Sequence, residues 1–234
     1  MATVGYHASH KQLAPSALLR AVRAAEDAGF EAAMCSDHLA PWTRAQGHSG
    51  HSWVSHDGLG RVDRARLWSL SDTPPALVGA PVSAHTAGVV GGWADGLITI
   101  NQPTDVLRRV FHAFREGGGE SKPVYLQVHL CWDPDEGAAL ATAHDQWRSG
   151  VFDPSLMWNL ETPEQFDAAA RFVEPDDVRS AVLVSADLGR HRAWLEEFVD
   201  LGVDGLHLHH VGRAQDAFLD AFASSVLPEL KAGR

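Results

Sequence analysis

The sequence lacks several features that mark specialised classes of protein. Only two of its 234 residues are cysteines, Cys35 and Cys131, and both fall in apolar segments that we predict to be buried strands. Two cysteines of this kind do not make a disulfide framework, so we expect small core residues and a reducing, cytoplasmic compartment. No signal peptide opens the chain, and no apolar run is long enough to span a bilayer.

Positive charge is also scarce. The chain has 19 Lys and Arg against 30 Asp and Glu, which gives a formal net charge of -11. Nucleic acids and anionic membranes favour a basic face, so we expect neither as a partner. The glycine-rich fingerprints GxxxxGK[ST] and GxGxxG are absent too, which argues against P-loop and Rossmann nucleotide sites.

What the chain does contain is a regular alternation of strand and helix patterns. A strand over 3–9 is followed by an amphipathic helix over 15–28 that ends at Gly29. The clearest strand is 124–132, and a helix follows it over 136–147. Roughly six βα units succeed one another without a linker, so we predict one α/β domain over 1–234 with a mainly parallel sheet.

Three of the predicted strands carry polar side chains opposite their apolar face. These side chains are His7, Tyr125, Gln127, His129, His207 and His209. Imidazoles and an amide inside a sheet suit a polar pocket that reaches a cofactor. The alternative is a set of core histidines bonded to one another and to water. A third interpretation is a metal-dependent barrel hydrolase, in which the histidines at 207–210 share an ion, although no carboxylate or Cys pair has matching spacing.

The densest set of reactive side chains lies where the second predicted strand ends. Residues 31–42 begin as a buried apolar run and end in Ser36, Asp37 and His38, followed by Trp42. The carboxyl ends of parallel strands are where α/β folds build their sites. Asp37 can fix a tautomer, and His38 can move a proton near neutral pH. The alternative is an Asp that caps the next turn beside a half-exposed His.

The order of several sequence motifs resembles that of a known family. The motifs are Gly5-Tyr-His-Ala-Ser9, Cys35-Ser-Asp-His38, Pro41-Trp42, Gln46-Gly47-His48-Ser49, Gly91-Gly-Trp-Ala-Asp-Gly-Leu-Ile98 and Leu208-His-His-Val-Gly212. They are similar to motifs of the luciferase-like flavin- or deazaflavin-dependent oxidoreductases, in the branch that contains deazaflavin-dependent glucose-6-phosphate dehydrogenase. The resemblance implies a TIM-barrel-type α/β fold. It also implies an enzyme that transfers a hydride between FMN or the deazaflavin coenzyme F-420 and a small organic substrate.

The resemblance also implies roles for individual side chains. Two would be catalytic: His38 would handle a proton, and Trp42 would pack against the reacting ring. Six would bind the cofactor, namely Asp37, Ser36, His7, Val82, Ser83 and Thr86. The last three lie at or just before the start of a predicted helix at Ser83, whose free backbone N–H groups suit the cofactor phosphate; an ordinary helix cap is the alternative.

The chain departs from the family in its length. The resemblance stops near Trp53 and resumes near Val54, so we predict a deletion junction there. The absent segment would hold the third and fourth βα units, with a glutamate that serves relatives as an acid or base. We therefore expect about six of eight units, an open barrel whose edges favour homo-oligomers, and impaired activity. A non-catalytic remnant that acts as a structural or partner-binding domain stays an alternative.

The substrate of that branch is not expected here. Relatives that use glucose 6-phosphate hold it with two lysines and an arginine. The corresponding stretches of this chain, 101–104, 165–167 and 179–181, contain Arg179 as their only basic residue. We therefore do not predict a phosphorylated sugar.

Overall fold

The computed structural model describes residues 2–36, 41–48, 75–157 and 159–232. Within them lie the strands β1 (Thr3–Ala8), β2 (Ala32–Cys35), β3 (Val78–Gly79), β4 (Gly96–Ile100), β5 (Val124–Trp132), β6 (Leu183–Ser185) and β7 (Gly205–His210). The helices are α1 (Pro15–Asp27), α2 (Ala84–Gly91), α3 (Thr104–Phe114), α4 (Glu136–Trp147), α5 (Pro154–Met157), α6 (Pro163–Ala169), α7 (Leu188–Asp200), α8 (Gln215–Ser225) and α9 (Leu227–Ala232). No helix in these ranges has the length and apolar character needed to cross a membrane.

All observed strand pairings are parallel, as the βα repeats predict. The sheet runs in the order β2-β1-β7-β5-β4-β3. β1 and β7, the first and last described strands in chain order, are neighbours in the sheet, with Thr3 opposite Gly205 and Tyr6 opposite Leu208. Among the described residues β2 and β3 each pair with one strand, β1 and β4 respectively. The described sheet is therefore an open half-barrel with β2 and β3 at its two edges.

Strand β5 has three partners along its length. It pairs with β4 as far as Gln127, and with β7 as far as Leu130. Its last residues pair with β6, from Leu130 opposite Leu183 to Trp132 opposite Ser185. Short β6 thus extends the sheet beside the carboxyl end of β5, beyond the point where the pairing with β4 stops.

The main core lies between the sheet and its helices. Alternate residues of β1, β5 and β7 point into it, and the predicted alternation of 124–132 is confirmed. The fully buried members from strands include Val4, Tyr6, Leu126, Leu130, Leu206 and Leu208, and those from helices include Leu107, Phe114, Leu195, Phe218 and Phe222. Burial of such apolar area supplies the dominant favourable free energy of folding.

Helix α2 packs against the end of α3 through bare backbone. A five-residue π-helical turn, Arg115–Gly119, follows α3, and Gly118 in it has φ of 106°. A Cβ on Gly91 would lie 2.4 Å from the Phe114 carbonyl oxygen, and one on Gly117 would lie 2.1 Å from that of Gly88. Gly91 and Gly117 therefore allow a backbone contact that no larger residue permits.

The prediction that 31–42 opens as a buried strand, with Cys35 in the core, is wrong. In β2 exposed and half-buried residues alternate, and Cys35 is exposed, whereas Cys131 is buried as predicted. The reason is position, since β2 pairs with β1 alone among the described strands. The deletion junction predicted near 53–54 lies outside the described residues.

Two element boundaries also differ from prediction. The sequence pattern predicts a strand over 76–81, but the strand there has only two residues, Val78–Gly79, at the other edge of the described sheet. The sequence pattern also predicts one closing helix over 214–230, but this stretch is divided at Val226 into α8 and α9. Pro228 follows that break, and since proline lacks an N–H it suits the first turn of a new helix rather than the interior of a longer one.

Candidate active site

A cavity of about 890 Å³ opens at the carboxyl ends of the strands. Strand ends contribute His7, Met34, Cys35, Ile100, Gln127, His129 and His209 to its lining, and the following segments contribute Lys11, Ser36, Trp42, Val82, Asn101, Trp147 and Phe166. Ligand pockets of folded proteins commonly measure about 300–1,000 Å³ and combine apolar walls with a few polar groups. The cavity therefore has the size and composition of a small-molecule site.

Three imidazoles from three adjacent strands meet at the floor of this cavity. The ring centroids of His7 and His209 are 4.3 Å apart, and those of His129 and His209 are 5.2 Å apart. Burial lowers the pKa of His129 to about 3 and holds the pKa of His209 well below its ordinary value. His129 and His209 are therefore neutral at physiological pH. The predicted polar face of the sheet does line a pocket at these positions.

The other two predicted inward residues lie deeper in the sheet. Tyr125 and His207 contact each other, with ring centroids 5.9 Å apart, and neither lines the cavity. A Cβ on Gly5 would lie 2.5 Å from His207 Nδ1, so the glycine of β1 makes room for that imidazole. These side chains fill the base of the half-barrel, as inward layers do in closed barrels.

Hydrogen bonds from amide side chains fix the imidazoles. The ring nitrogen Nε2 of His209 donates to Gln12 Oε1 at 2.8 Å, and Gln12 Nε2 donates to the carbonyl of Val211. Gln127 Nε2 donates to His129 Nε2 at 2.9 Å. Because an amide N–H₂ is the donor, His129 Nε2 is the accepting nitrogen and its ring proton is on Nδ1. Each ring thereby has a defined tautomer.

Lys11 is a cavity residue that the sequence analysis missed. Its side chain is 3% exposed, and its Nζ lies 3.3 Å from the centroid of the Trp42 ring and 4.9 Å from that of Trp147. Burial lowers the pKa of Lys11 to about 7. The one signal in the sequence was its place just beyond the carboxyl end of the first strand, where a lysine ordinarily indicates surface.

The aromatic wall of the cavity is built around Trp42. Its ring is parallel to that of Phe166, with an interplanar angle of 4° and centroids 6.2 Å apart, and it also contacts Trp147. Gln46 accepts a hydrogen bond from the Trp42 backbone N–H at 3.0 Å and donates to the carbonyl of Gln146 at 3.2 Å. Helix α4 and the segment 41–48 therefore hold the indole in place.

Four of the predicted site residues come together around the cavity. His7, Ser36, Trp42 and Val82 all line it, and Ser36 Oγ accepts a hydrogen bond from the backbone N–H of His10 at 3.2 Å. Asp37 and His38, which follow Ser36 directly, lie outside the described residues. The predicted strand end is thus at the cavity as far as the chain is described.

Ser83 and Thr86 are not part of the lining. Ser83 is the N-cap of α2, and its Oγ accepts a hydrogen bond from Thr86 N at 3.3 Å and lies 3.1 Å from Thr86 Oγ1. This arrangement is that of an ordinary helix cap. Their place near the lining residue Val82 leaves the phosphate role as a prediction.

Arg179 forms ion pairs and lies outside the cavity lining. It pairs with Glu136 at 3.1 Å and Asp176 at 3.4 Å, and it donates to the carbonyl of Val184 at 2.9 Å. Gln165, in another of the stretches compared with the sugar-phosphate clamp, closes a capping box at the start of α6. Neither residue lines the cavity.

A metal centre finds no support in the part of the chain that the structure describes. No group of three or more His, Cys, Asp or Glu side chains there is arranged to hold an ion. His209 and His210, adjacent in β7, point to opposite faces of the sheet. His210 stacks on Phe218 in the core, with centroids 4.7 Å apart and an interplanar angle of 7°, so it cannot share a ligand with His209.

Comparison with known proteins gives consistent matches. The profile of the luciferase-like monooxygenase family matches residues 49–205. The F420-dependent glucose-6-phosphate dehydrogenase of Nakamurella multipartita is 34% identical over 181 residues, which cover 74% of this chain and 53% of that protein. The enzyme of the same description from Intrasporangium calvum is 21% identical over 334 positions that span 99% of each chain.

The alignment with the Intrasporangium calvum enzyme shows that this chain is shorter than that relative. It extends over 334 positions against 234 residues here, so about 100 positions of the relative have no counterpart. Among solved structures, an F420-dependent secondary alcohol dehydrogenase in complex with an F420-acetone adduct matches with a TM-score of 0.81 and 17% identity, over 97% of this chain and 99% of that one. This structural likeness confirms the predicted TIM-barrel-type α/β fold.

Proposed function

The chain belongs to the luciferase-like monooxygenase family, and from that premise we propose that it is a deazaflavin-dependent oxidoreductase. It transfers a hydride between coenzyme F420 and a small organic substrate. The observation that carries the proposal is the cavity of about 890 Å³ at the carboxyl ends of the strands. In barrels of this type the site lies at that end.

The residues of the cavity fit a flat, polar ring system. The parallel rings of Trp42 and Phe166 offer an apolar surface. The aromatic ring of a ligand can pack against such a surface in an offset or edge-on arrangement. Asn101, Gln127 and His129 offer donors and acceptors on the sheet side. When bound, the deazaflavin would supply the position that accepts or gives up a hydride; the protein would bind, orient and exclude water.

Individual roles follow the predicted site residues. Trp42 would pack against the reacting ring, and Ser36 and His7 would contact the cofactor from the ends of β2 and β1. Asp37 would hold the ring system, and His38 would handle the proton that accompanies the hydride. Val82, Ser83 and Thr86 would hold the cofactor phosphate at the start of α2, whose backbone N–H groups favour an anion. The substrate is not a phosphorylated sugar, since Arg179 is engaged with Glu136 and Asp176.

FMN is the alternative cofactor, and a non-catalytic remnant is the alternative function. The remnant is favoured by one observation, the roughly 100 positions of the Intrasporangium calvum enzyme that have no counterpart here. A remnant would fold and bind neither cofactor. The two functions therefore differ in a property that can be measured without knowing the substrate.

The test is equilibrium dialysis of the purified protein with F420 and with FMN, followed by a turnover assay with the cofactor that binds. Trp42→Leu should weaken binding about tenfold through loss of the aromatic wall. Trp93→Leu is the matched control, because Trp93 is 57% exposed and outside the cavity lining. Labelling of Cys35 by a thiol reagent should slow when cofactor is bound, since Cys35 lines the cavity. If neither cofactor binds and Cys35 is not protected, the remnant is the correct interpretation.

A further inference from the structure

Lys11 is a buried cation without an anionic partner among the described residues. Its side chain is 3% exposed and lines the cavity. The ion pairs of the described Asp and Glu residues are with other Arg, Lys and His side chains. Its contacts are the faces of Trp42 and Trp147. Aromatic faces attract a cation, but they do not neutralise it.

Within the ranges that the structure describes, the groups that face Lys11 supply no buried negative charge. His7 of β1, His129 of β5 and His209 of β7 surround the same cavity. Lys11 itself contributes to the lowered pKa of His129 and of His209, so these imidazoles respond to its positive charge. Glu161 belongs to the lining too, but it is exposed, and the pKa of Lys11 is shifted by burial rather than by any nearby carboxylate.

An uncompensated charge inside a cavity is unfavourable, because water has been replaced by apolar surface. A bound anion would remove this cost by forming a charge-assisted hydrogen bond with the ammonium. Among the described lining residues, one buried cation beside the neutral His129 and His209 matches a single negative charge. A phosphate dianion would leave a second charge unpaired in the same apolar surroundings.

We propose that Lys11 is the anion-binding residue of this cavity and that the substrate is a small carboxylate whose carboxyl group contacts the Lys11 ammonium. The indole rings of Trp42 and Trp147, both close to Nζ, would then contact the apolar part of the substrate. The identification of this anion as the substrate rests on the proposed function. The binding itself needs no cofactor and can be measured alone.

The proposal predicts a pH dependence of a stated sign. The ammonium binds the carboxylate and the neutral amine does not. Since burial places the pKa of Lys11 at about 7, the affinity should be about tenfold lower at pH 8 than at pH 6. The bound carboxylate should also raise the pKa of Lys11, so that binding near pH 8 takes up protons from the buffer.

The experiment is isothermal titration calorimetry of benzoate and of its neutral isostere benzamide, at pH 6 and pH 8, with the protein free of cofactor. Four proteins are compared: the parent chain, Lys11→Met, Lys11→Arg and Lys231→Met. Lys231 is the matched control, because its ammonium contacts the Gly29 carbonyl and Glu31 at the surface. Circular dichroism verifies that each variant is folded.

We expect the parent chain to bind benzoate at least about tenfold more tightly than benzamide at pH 6. Lys11→Met should lose this preference, and Lys11→Arg and Lys231→Met should keep it. Equal affinity for the two compounds, no binding of benzoate, or an unchanged preference in Lys11→Met would overturn the proposal. Benzoate binding without F420 or FMN binding would contradict the proposed function alone, and cofactor binding without benzoate preference would contradict the role of Lys11 alone.

Discussion

Replacing Lys11 by methionine should stabilise the fold, because it removes a buried charge and keeps the apolar part of the side chain. Burial lowers the pKa of Lys11 from 10.5 to about 7, and each pKa unit corresponds to about 1.4 kcal/mol. The charged form therefore costs about 5 kcal/mol within the fold. Cation–π contact with the two indole rings offsets about 1 kcal/mol of this cost. We expect Lys11→Met to be more stable than the parent chain by about 4 kcal/mol at pH 6.

The same pKa fixes how this difference changes with pH. Between the folded value of about 7 and the unfolded value of 10.5 the unfolded chain binds more protons than the folded one, so the stability of the parent chain rises with pH in that window. Below it both states carry the charge and the full cost applies. The methionine variant has no such dependence, so its advantage should shrink to about 2 kcal/mol at pH 9.

Urea unfolding at pH 6 and pH 9, followed by circular dichroism, measures the free energy of unfolding of each protein. Lys231→Met is the control for loss of an exposed lysine and should differ from the parent chain by less than about 1 kcal/mol at both pH values. Lys11 contributes to the lowered pKa of His129 and of His209, but burial is the larger cause for both. These imidazoles therefore stay neutral at pH 6 and pH 9 in every variant and cancel in the comparison. A stability difference between Lys11→Met and the parent chain that is equal at the two pH values would refute the argument.

Two further predictions follow from burial and backbone contacts. In the native protein one thiol per chain should react rapidly with a disulfide reagent, and after denaturation both thiols should react. The reason is that Cys35 is exposed, whereas Cys131 is buried and its pKa is raised to about 12. Rapid reaction of both thiols in the native state would contradict the structure. Gly91→Ala should lower the free energy of unfolding by about 2–3 kcal/mol, because its Cβ would lie 2.4 Å from the Phe114 carbonyl oxygen. Gly88→Ala in the same helix is the matched control, since its Cβ would find ordinary contact at 3.6 Å and alanine favours helix; equal effects of the two substitutions in thermal unfolding would contradict the packing.

The sequence predicts those elements whose pattern is carried by local periodicity. The bounds of 124–132 and 136–147 are confirmed to the residue, because the alternation of a strand and the helix pattern that follows it are signals within a few positions. The exposure of β2 could not be predicted in this way. Its residues read as a buried strand, and only the number of neighbouring strands in the sheet, a property of the whole fold, decides otherwise.

The site residues show the same difference between what a local pattern predicts and what only the whole fold decides. His7, His129 and His209 could be placed on one inner face, since strands of known direction put alternate side chains on opposite faces. Lys11 could not, because a lysine in a short loop after a strand usually points to solvent. Its burial depends on Trp42 and Trp147, which the fold brings to it from distant parts of the chain.

The order of strands explains why a shortened barrel can keep this cavity. Its floor is formed by β1, β7 and β5, which are consecutive in the sheet, and in the described part of the chain the edges β2 and β3 lie on either side of that block. The predicted loss of units between β2 and β3 would therefore open the barrel without separating His7, His209 and His129. The polar floor and Lys11 depend on pairings that remain in place. Loss of activity, where it occurs, would accordingly come from groups that the absent units supplied rather than from collapse of the cluster.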